Sequence, residues 1–351
     1  MLRSTLTRAS AALFALLFAA GQLRGGDALD PAPPGTYTVV VLPDTQGYTG
    51  IGTKRTPESD APVSNAVFDA HTQWVVENQE KQNIVFVSHV GDIVDRNERR
   101  QWEVARRAMD RIHGLVPYGI SVGNHDMTSE GNSSLFQSYF PAARFESFSW
   151  YGGHFQAEGL KQEVSGNNAN SVQYFSMGES QFVFLHLECN APDEVLDWAN
   201  AILRDNRDRV ALVTTHMGLG PAERPQSNDG YITDPKGRMR WSKRHGERGN
   251  SPQQMWEKCF RKHPNLVAIF SGDQSRTEAL RQETKGDAGN TVHELLSDYT
   301  SSGPIRLYRF NPNAGTIDVF TFETGKEELV FSTDRNPARE SHRFKLDYQQ
   351  P

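Results

Sequence analysis

Five stretches of apolar, mostly β-branched residues in this chain each end in side chains that ligate metals. The ends are Asp44-Thr45-Gln46, Gly91-Asp92, Gly123-Asn124-His125-Asp126, His216, and Gly272-Asp273-Gln274-Ser275. Carboxylate, amide oxygen and imidazole together are the ligand set of Mn, Fe or Zn centres. A glycine just before three of these clusters lets the backbone turn sharply and come close to an ion or a phosphate. The clusters lie far apart along the chain, so the fold has to gather them.

The elements that would do so alternate. Tyr37 to Leu42 reads as a buried strand, residues 62–81 as a helix, Ile84 to Val90 as a second strand. Glu98 to Ile112 is helical and Tyr118 to Val122 is a third strand. This order argues for parallel pairing through right-handed crossovers. Val172 to Ser176 and Phe182 to Leu187 read as a hairpin around Gly178, and Asp193 to Arg204 as an amphipathic helix. Val210 to Thr215 and Leu266 to Ser271 are further buried strands. Between them lie a long loop, 217–250, and a helix from Ser251 to Lys262 with Ser251 as N-cap and Pro252 in its first turn. From Val292 short strands dominate, with turns at 311–315. In open α/β folds the ligand crevice lies beyond the carboxyl ends of the strands, where all five clusters fall.

In order and context the series resembles the calcineurin-like metallophosphoesterase superfamily. There, Asp-x-His, Gly-Asp, Gly-Asn-His-Asp/Glu, His and Gly-His-x-His occupy successive strand ends. The resemblance rests on Gly91-Asp92-Ile93-Val94-Asp95, Gly123-Asn124-His125-Asp126 and Thr215-His216, and runs from about Tyr37 to about Phe322. Asp44-Thr45-Gln46 is similar to a bacterial branch in which Gln stands for the first His. The fold this implies is an α/β sandwich of two mixed sheets flanked by helices. The resemblance further implies one or two divalent metals, from Mn, Fe, Zn, Mg or Ca. One would take Asp44, Gln46 and Asp92; the other Asp92 as bridge, Asn124 and His216. His125 would stand over the phosphate and protonate the leaving oxygen, oriented by Asp126. Asp95 falls where purple acid phosphatases carry a tyrosine ligand, which speaks against an iron–tyrosinate centre.

The last motif departs from the family. Asp273 stands at the first His of Gly-His-x-His and is a competent hard ligand; Ser275 stands at the second and is a poor one. The second site is therefore expected to bind tightly and the first weakly, with oxygen-rich ligation favouring Mn. His71, His113, His154, His186 and His263 have no ligand spacing and read as core or surface residues. Asp298-Tyr299 ends another strand and reads either as a satisfied polar pair at a sheet end or as support behind the ligands. The loop 217–250 carries Arg224, Lys236, Arg238, Arg240, Lys243, Arg244 and Arg248. It is either a solvated surface loop or an anion-binding one, in which Arg240 and Lys243 would contact substrate.

Residues 1–21 have the tripartite pattern of a secretory signal: Arg3 and Arg8, the apolar run Ala11 to Ala20, then small residues. The run is short for a membrane span, and no other long apolar stretch follows, so none is expected after signal removal. Residues 22–36 read as a linker, 37–325 as the catalytic domain, and 326–351 as an extension adding one or two edge strands. Cys189 and Cys259 either pair in an oxidising compartment or stay as buried thiols. The net charge of −6 and the absence of a nucleic-acid motif disfavour a nuclease. The expectation is an exported (periplasmic or secreted) phosphoesterase hydrolysing a phosphorylated monoester or diester substrate with metal-activated water. The alternative is a decayed scaffold that binds metal or a phosphorylated ligand without turnover.

Overall fold

A strand buried on both faces needs apolar residues at consecutive positions, and Tyr37–Leu42 (β1) shows why. Val39 and Val41 enter one hydrophobic layer, while Val40 and Leu42 enter another on the opposite face. The computed structural model describes residues 28–159, 161–221, 244–300 and 303–351, and the backbone of 236–237. The described residues build two facing seven-stranded mixed sheets and a separate two-stranded ribbon.

The first sheet has β1 beside Ile84–His89 (β2) and then Tyr118–Ile120 (β3), all parallel. The second has Tyr151–His154 (β4), Ser171–Met177 (β5), Ser180–Leu187 (β6) and Val210–Thr215 (β7) in sequence across the sheet. The ribbon joins Gly220–Pro221 (β8) to Lys236–Gly237 (β9). Leu266–Ser271 (β10) follows β7 in the second sheet, then Thr291–Ser297 (β12), with Ala279–Lys285 (β11) at the edge. The parallel β1–β2–β3 order is what the strand–helix alternation predicts, and β6, β7, β10 and β12 are mutually parallel as well. Pro304–Asn311 (β13) returns antiparallel to β1, and Thr316–Glu323 (β14) pairs with β13. Glu328–Val330 (β15) and Arg343–Asp347 (β16) both pair with β14.

Between the sheets, Val39, Val41 and Phe86 of the first share a core with Phe182, Phe184, Leu212 and Phe270 of the second. Outside the first sheet lie Ala66–Asn78 (α1), Arg99–Asp110 (α2) and Ser134–Tyr139 (α3), through residues such as Phe68, Trp74, Trp102 and Phe136. Outside the second lie Asp193–Asp205 (α4) and Pro252–Lys258 (α5), through Leu196, Leu203, Met255 and Trp256. A short Arg339–His342 helix (α6) precedes β16.

Two helices are shorter than their periodicity suggests. α1 starts only at Ala66, because Asn65 caps it by accepting from the Phe68 amide at 3.1 Å. α5 has the expected capping box, with Ser251 and Gln254 each satisfying the other's backbone amide. It then breaks at Cys259 and continues as a 3-10 turn over Phe260–Lys262. Both cysteines are buried free thiols. Among the described residues no helix is long and apolar enough to cross a membrane. The proposed signal segment lies outside them.

Candidate metal centre

Parallel registry sets the carboxyl ends of the strands level. Leu42 of β1 lies opposite His89 of β2, which lies opposite Ile120 of β3. In the second sheet the ends of β7 and β10 are similarly aligned. The chain then turns sharply. Asp92 and Asp273 adopt positive φ values of 49° and 65°, a region in which Asp is among the better tolerated residues. Gly123 and Gly272 are there because nothing larger fits. A Cβ on Gly123 would stand 2.1 Å from the Asp92 nitrogen, and one on Gly272 2.1 Å from Asp44 Oδ1.

His216, after β7, crosses to the first sheet. Its Nδ1–H donates to the Val90 carbonyl at 3.0 Å, because a carbonyl can only accept. Nε2 therefore points at the other polar groups: Asn124 Oδ1 at 3.1 Å, Asp92 Oδ1 at 3.2 Å and Asp273 Oδ1 at 3.4 Å. Asp44, Asp92 and His216 offer ligand atoms within 4.8 Å of one another. Asp44 Oδ2 accepts the Asp273 amide at 3.2 Å, whereas Asp44 Oδ1 is buried without a partner. Gln46 lies here too, its Nε2 donating to Asp92 Oδ2 at 2.8 Å. The structure thus brings together Asp44, Gln46, Asp92, Asn124, His216 and Asp273.

The electrostatics favour a cation. Burial raises the carboxyl pKa of Asp44, reinforced by the charge of nearby Asp298. Burial also raises Asp273, takes Asp298 to about 6, and together with the Asp92 charge takes Asp126 to about 7. Asp92 is the exception. Burial pushes it up, but the adjoining His216 imidazole holds it below the usual carboxylate range. Burial alone would lower His216, yet Asp92 and Asp44 drive it well above the ordinary imidazole value. The His216 ring thus faces several buried carboxyl groups. An orphaned carboxylate oxygen and an imidazole nitrogen converging with three oxygens make a donor set that fits a hard divalent cation.

His125 stands at the rim, partly exposed. Its backbone amide donates to Asp92 Oδ1 at 2.8 Å, and its Nδ1–H donates to the Asp95 carbonyl at 2.7 Å. Nε2 is left free of that bond. The expected partner was Asp126, and here the structure corrects the sequence reading. Asp126 accepts the amides of Val94 at 3.1 Å and Gly123 at 2.8 Å, so it shapes the turn rather than the imidazole. Successive residues in a turn point apart, and the motif spacing does not show it.

Asp298 is buried, accepts the Thr300 amide at 3.0 Å, and by its proximity helps raise the Asp44 pKa, which fits both readings of it. β12 runs parallel to β10, which brings Asp298 to the same end as Asp273. Ser275 has its carbonyl held by Arg335 at 2.8 Å. Arg240 and Lys243 lie outside the described residues. Of their basic neighbours, Arg244 donates to the Met127 carbonyl at 2.9 Å and Arg248 lies 3.6 Å from Glu194. His71 and His186 are core residues, as their lack of ligand spacing suggests.

The chain is 26% identical over 333 residues to the uncharacterized protein YvnB of Bacillus subtilis, covering 91% of this chain and 22% of that one. It is similar to the structure of a 5'-nucleotidase precursor from Thermus thermophilus, at 14% identity and a TM-score of 0.43, covering 84% of this chain and 53% of that one. The NAD nucleotidase of Haemophilus influenzae aligns at 12% identity and a TM-score of 0.41, over 79% and 48%. The chain therefore spans about a fifth to a half of the length of these relatives. Residues 37–276 match the family model for calcineurin-like phosphoesterases, and the chain belongs to that family.

Proposed function

We propose that this protein is an exported, metal-dependent phosphoesterase that hydrolyses a phosphomonoester or phosphodiester by direct attack of water. The observation that carries the reading is the convergence of Asp92, Asn124 and Asp273 oxygens on His216 Nε2, with an orphaned Asp44 oxygen close by. A divalent cation held by these residues would supply neutralising charge for the phosphate and lower the pKa of a water molecule. Asp92 lies between the two halves of the cluster. Asn124 and Asp273 add oxygens beside His216, and Gln46 steadies Asp92 through its amide. His125, fixed through Nδ1, turns Nε2 to the partly exposed side, where it would hand a proton to the departing oxygen.

The tighter metal position is the one at His216. The weaker lies at Asp44 and Gln46, where the Gln46 amide offers Asp92 a hydrogen rather than an extra ligand oxygen. This asymmetry also supports the rival reading, a scaffold that binds metal or a phosphorylated ligand without turnover. Arg240 and Lys243 as substrate contacts rest on sequence alone, as does export through residues 1–21.

Hydrolysis of bis-p-nitrophenyl phosphate with added Mn, beside an Asn124→Ala, His125→Ala double variant, tests the reading. Turnover lost in the variant supports the enzyme. Equal rates in both proteins across several metals favour the scaffold.

A further inference from the structure

Two polar residues in the core connect the first two metal-binding loops. Thr45 and His89 are both buried. The Gly91 amide donates to His89 Nδ1 at 3.1 Å, so that nitrogen carries no proton and the proton sits on Nε2. Nε2–H then donates to Thr45 Oγ1 at 3.1 Å, and the Thr45 hydroxyl donates onward to the Ile93 carbonyl at 3.0 Å. The Thr45 amide completes the ring by donating to the Asp92 carbonyl at 3.1 Å. Every donor in the cycle has one acceptor, and its direction is fixed throughout.

The cycle flanks both aspartates. Thr45 follows Asp44, while Gly91 and Ile93 bracket Asp92. Two further bonds brace it. Tyr48 donates its hydroxyl to the same Ile93 carbonyl at 2.9 Å, and the Thr45 carbonyl accepts from the Asn65 side chain at 2.7 Å. Asn65 is also the cap of α1. Phe68 packs edge-to-face with the His89 ring, with centroids 5.6 Å apart.

The geometry points to Thr45 and His89 as positioning residues that set the separation of Asp44 and Asp92 before any cation arrives. The inference rests on the metal-centre reading above. Neither residue contacts the ion; both act through the backbone on either side of the two carboxylates. A buried hydroxyl and a buried imidazole here serve ligand placement, since a valine and an aliphatic residue would fill the same space. Residues that orient ligands in this indirect way typically govern metal affinity by about 10–100-fold.

The test is Mn binding by titration calorimetry to the full chain, alongside thermal unfolding without metal. Wild type should bind Mn and Asp92→Asn should lose that binding. Thr45→Val, which removes only the hydroxyl, should weaken Mn binding by at least about tenfold. Thr45→Ser should bring it back. His89→Asn keeps an acceptor for the Gly91 amide but cannot reach Thr45, and should resemble Thr45→Val. Because both residues belong to one device, the double variant should be little worse than either single variant. Wild-type affinity in Thr45→Val, fully additive losses, or failure of Thr45→Ser to restore binding would each overturn the inference. Absence of Mn binding in the wild type would instead sink the metal reading, and the inference with it.

Discussion

Substituting Gly123 tests how tightly the fold and the metal centre are coupled. In Gly123→Ala, the new methyl would stand 2.1 Å from the Asp92 nitrogen and 2.2 Å from Asp92 Oδ1. Ordinary contact begins near 3.4 Å, so Asp92 or the 123–126 turn has to move by about 1 Å or more. Metal sites tolerate ligand displacements of only about 0.2 Å. The methyl also overfills a packed region, which costs about 1–3 kcal/mol of stability. The control is Gly119→Ala in β3, where the added methyl would meet the His186 ring at 2.2 Å, within the core. Both variants should unfold at lower temperature, but only Gly123→Ala should lose Mn affinity, by at least about tenfold. Calorimetry and thermal unfolding on the same samples separate the two effects. A Gly123→Ala protein that binds Mn like wild type would refute the claim that Gly123 keeps Asp92 in place for the ion.

Other consequences follow. Asp273→His combined with Ser275→His rebuilds the family's last motif and should add a second tight Mn-binding event; an unchanged stoichiometry would show that the weak site fails for another reason. His71 is buried with its pKa lowered to about 4, and its Nε2 contacts the Gly303 carbonyl at 2.9 Å. As pH falls through 6.5 the unfolded chain takes up a proton that the folded chain refuses until about 4, so this residue's contribution is present above 6.5 and lost on acidification. Between pH 7 and 5 the loss is about 2 kcal/mol. His71→Gln should flatten the pH dependence of unfolding by that amount in denaturant titrations, and parallel curves would contradict the assignment.

Most of the layout was legible because buried parallel strands advertise themselves. β1, β7 and β10 have the bounds that their unbroken apolar runs predict. β11 gives no comparable signal: it is an edge strand whose residues beyond Leu280 alternate between exposed and half-buried, with no apolar run. The convergence of Asp44, Asp92, Asn124, His216 and Asp273 was legible through strand-end position, not through any single motif. What could not be read were contacts set by turns. Asp126 follows His125 in sequence but faces the Val94 and Gly123 amides, and the Asp95 carbonyl takes its place at the imidazole. Thr45 and His89 left a weaker trace: His89 is a buried polar residue at the end of a buried strand, which marks an obligatory partner without naming it. Asp298 could be placed at a strand end but not beside Asp44, because strand order across a sheet is a property of the fold.

The most direct test of the account is the initial rate of bis-p-nitrophenyl phosphate hydrolysis as a function of Mn concentration, for wild type and Asp92→Asn. The account predicts saturable activation in the wild type, abolished by chelator, and no activation in Asp92→Asn. A rate that is the same in both proteins and indifferent to chelator would contradict it.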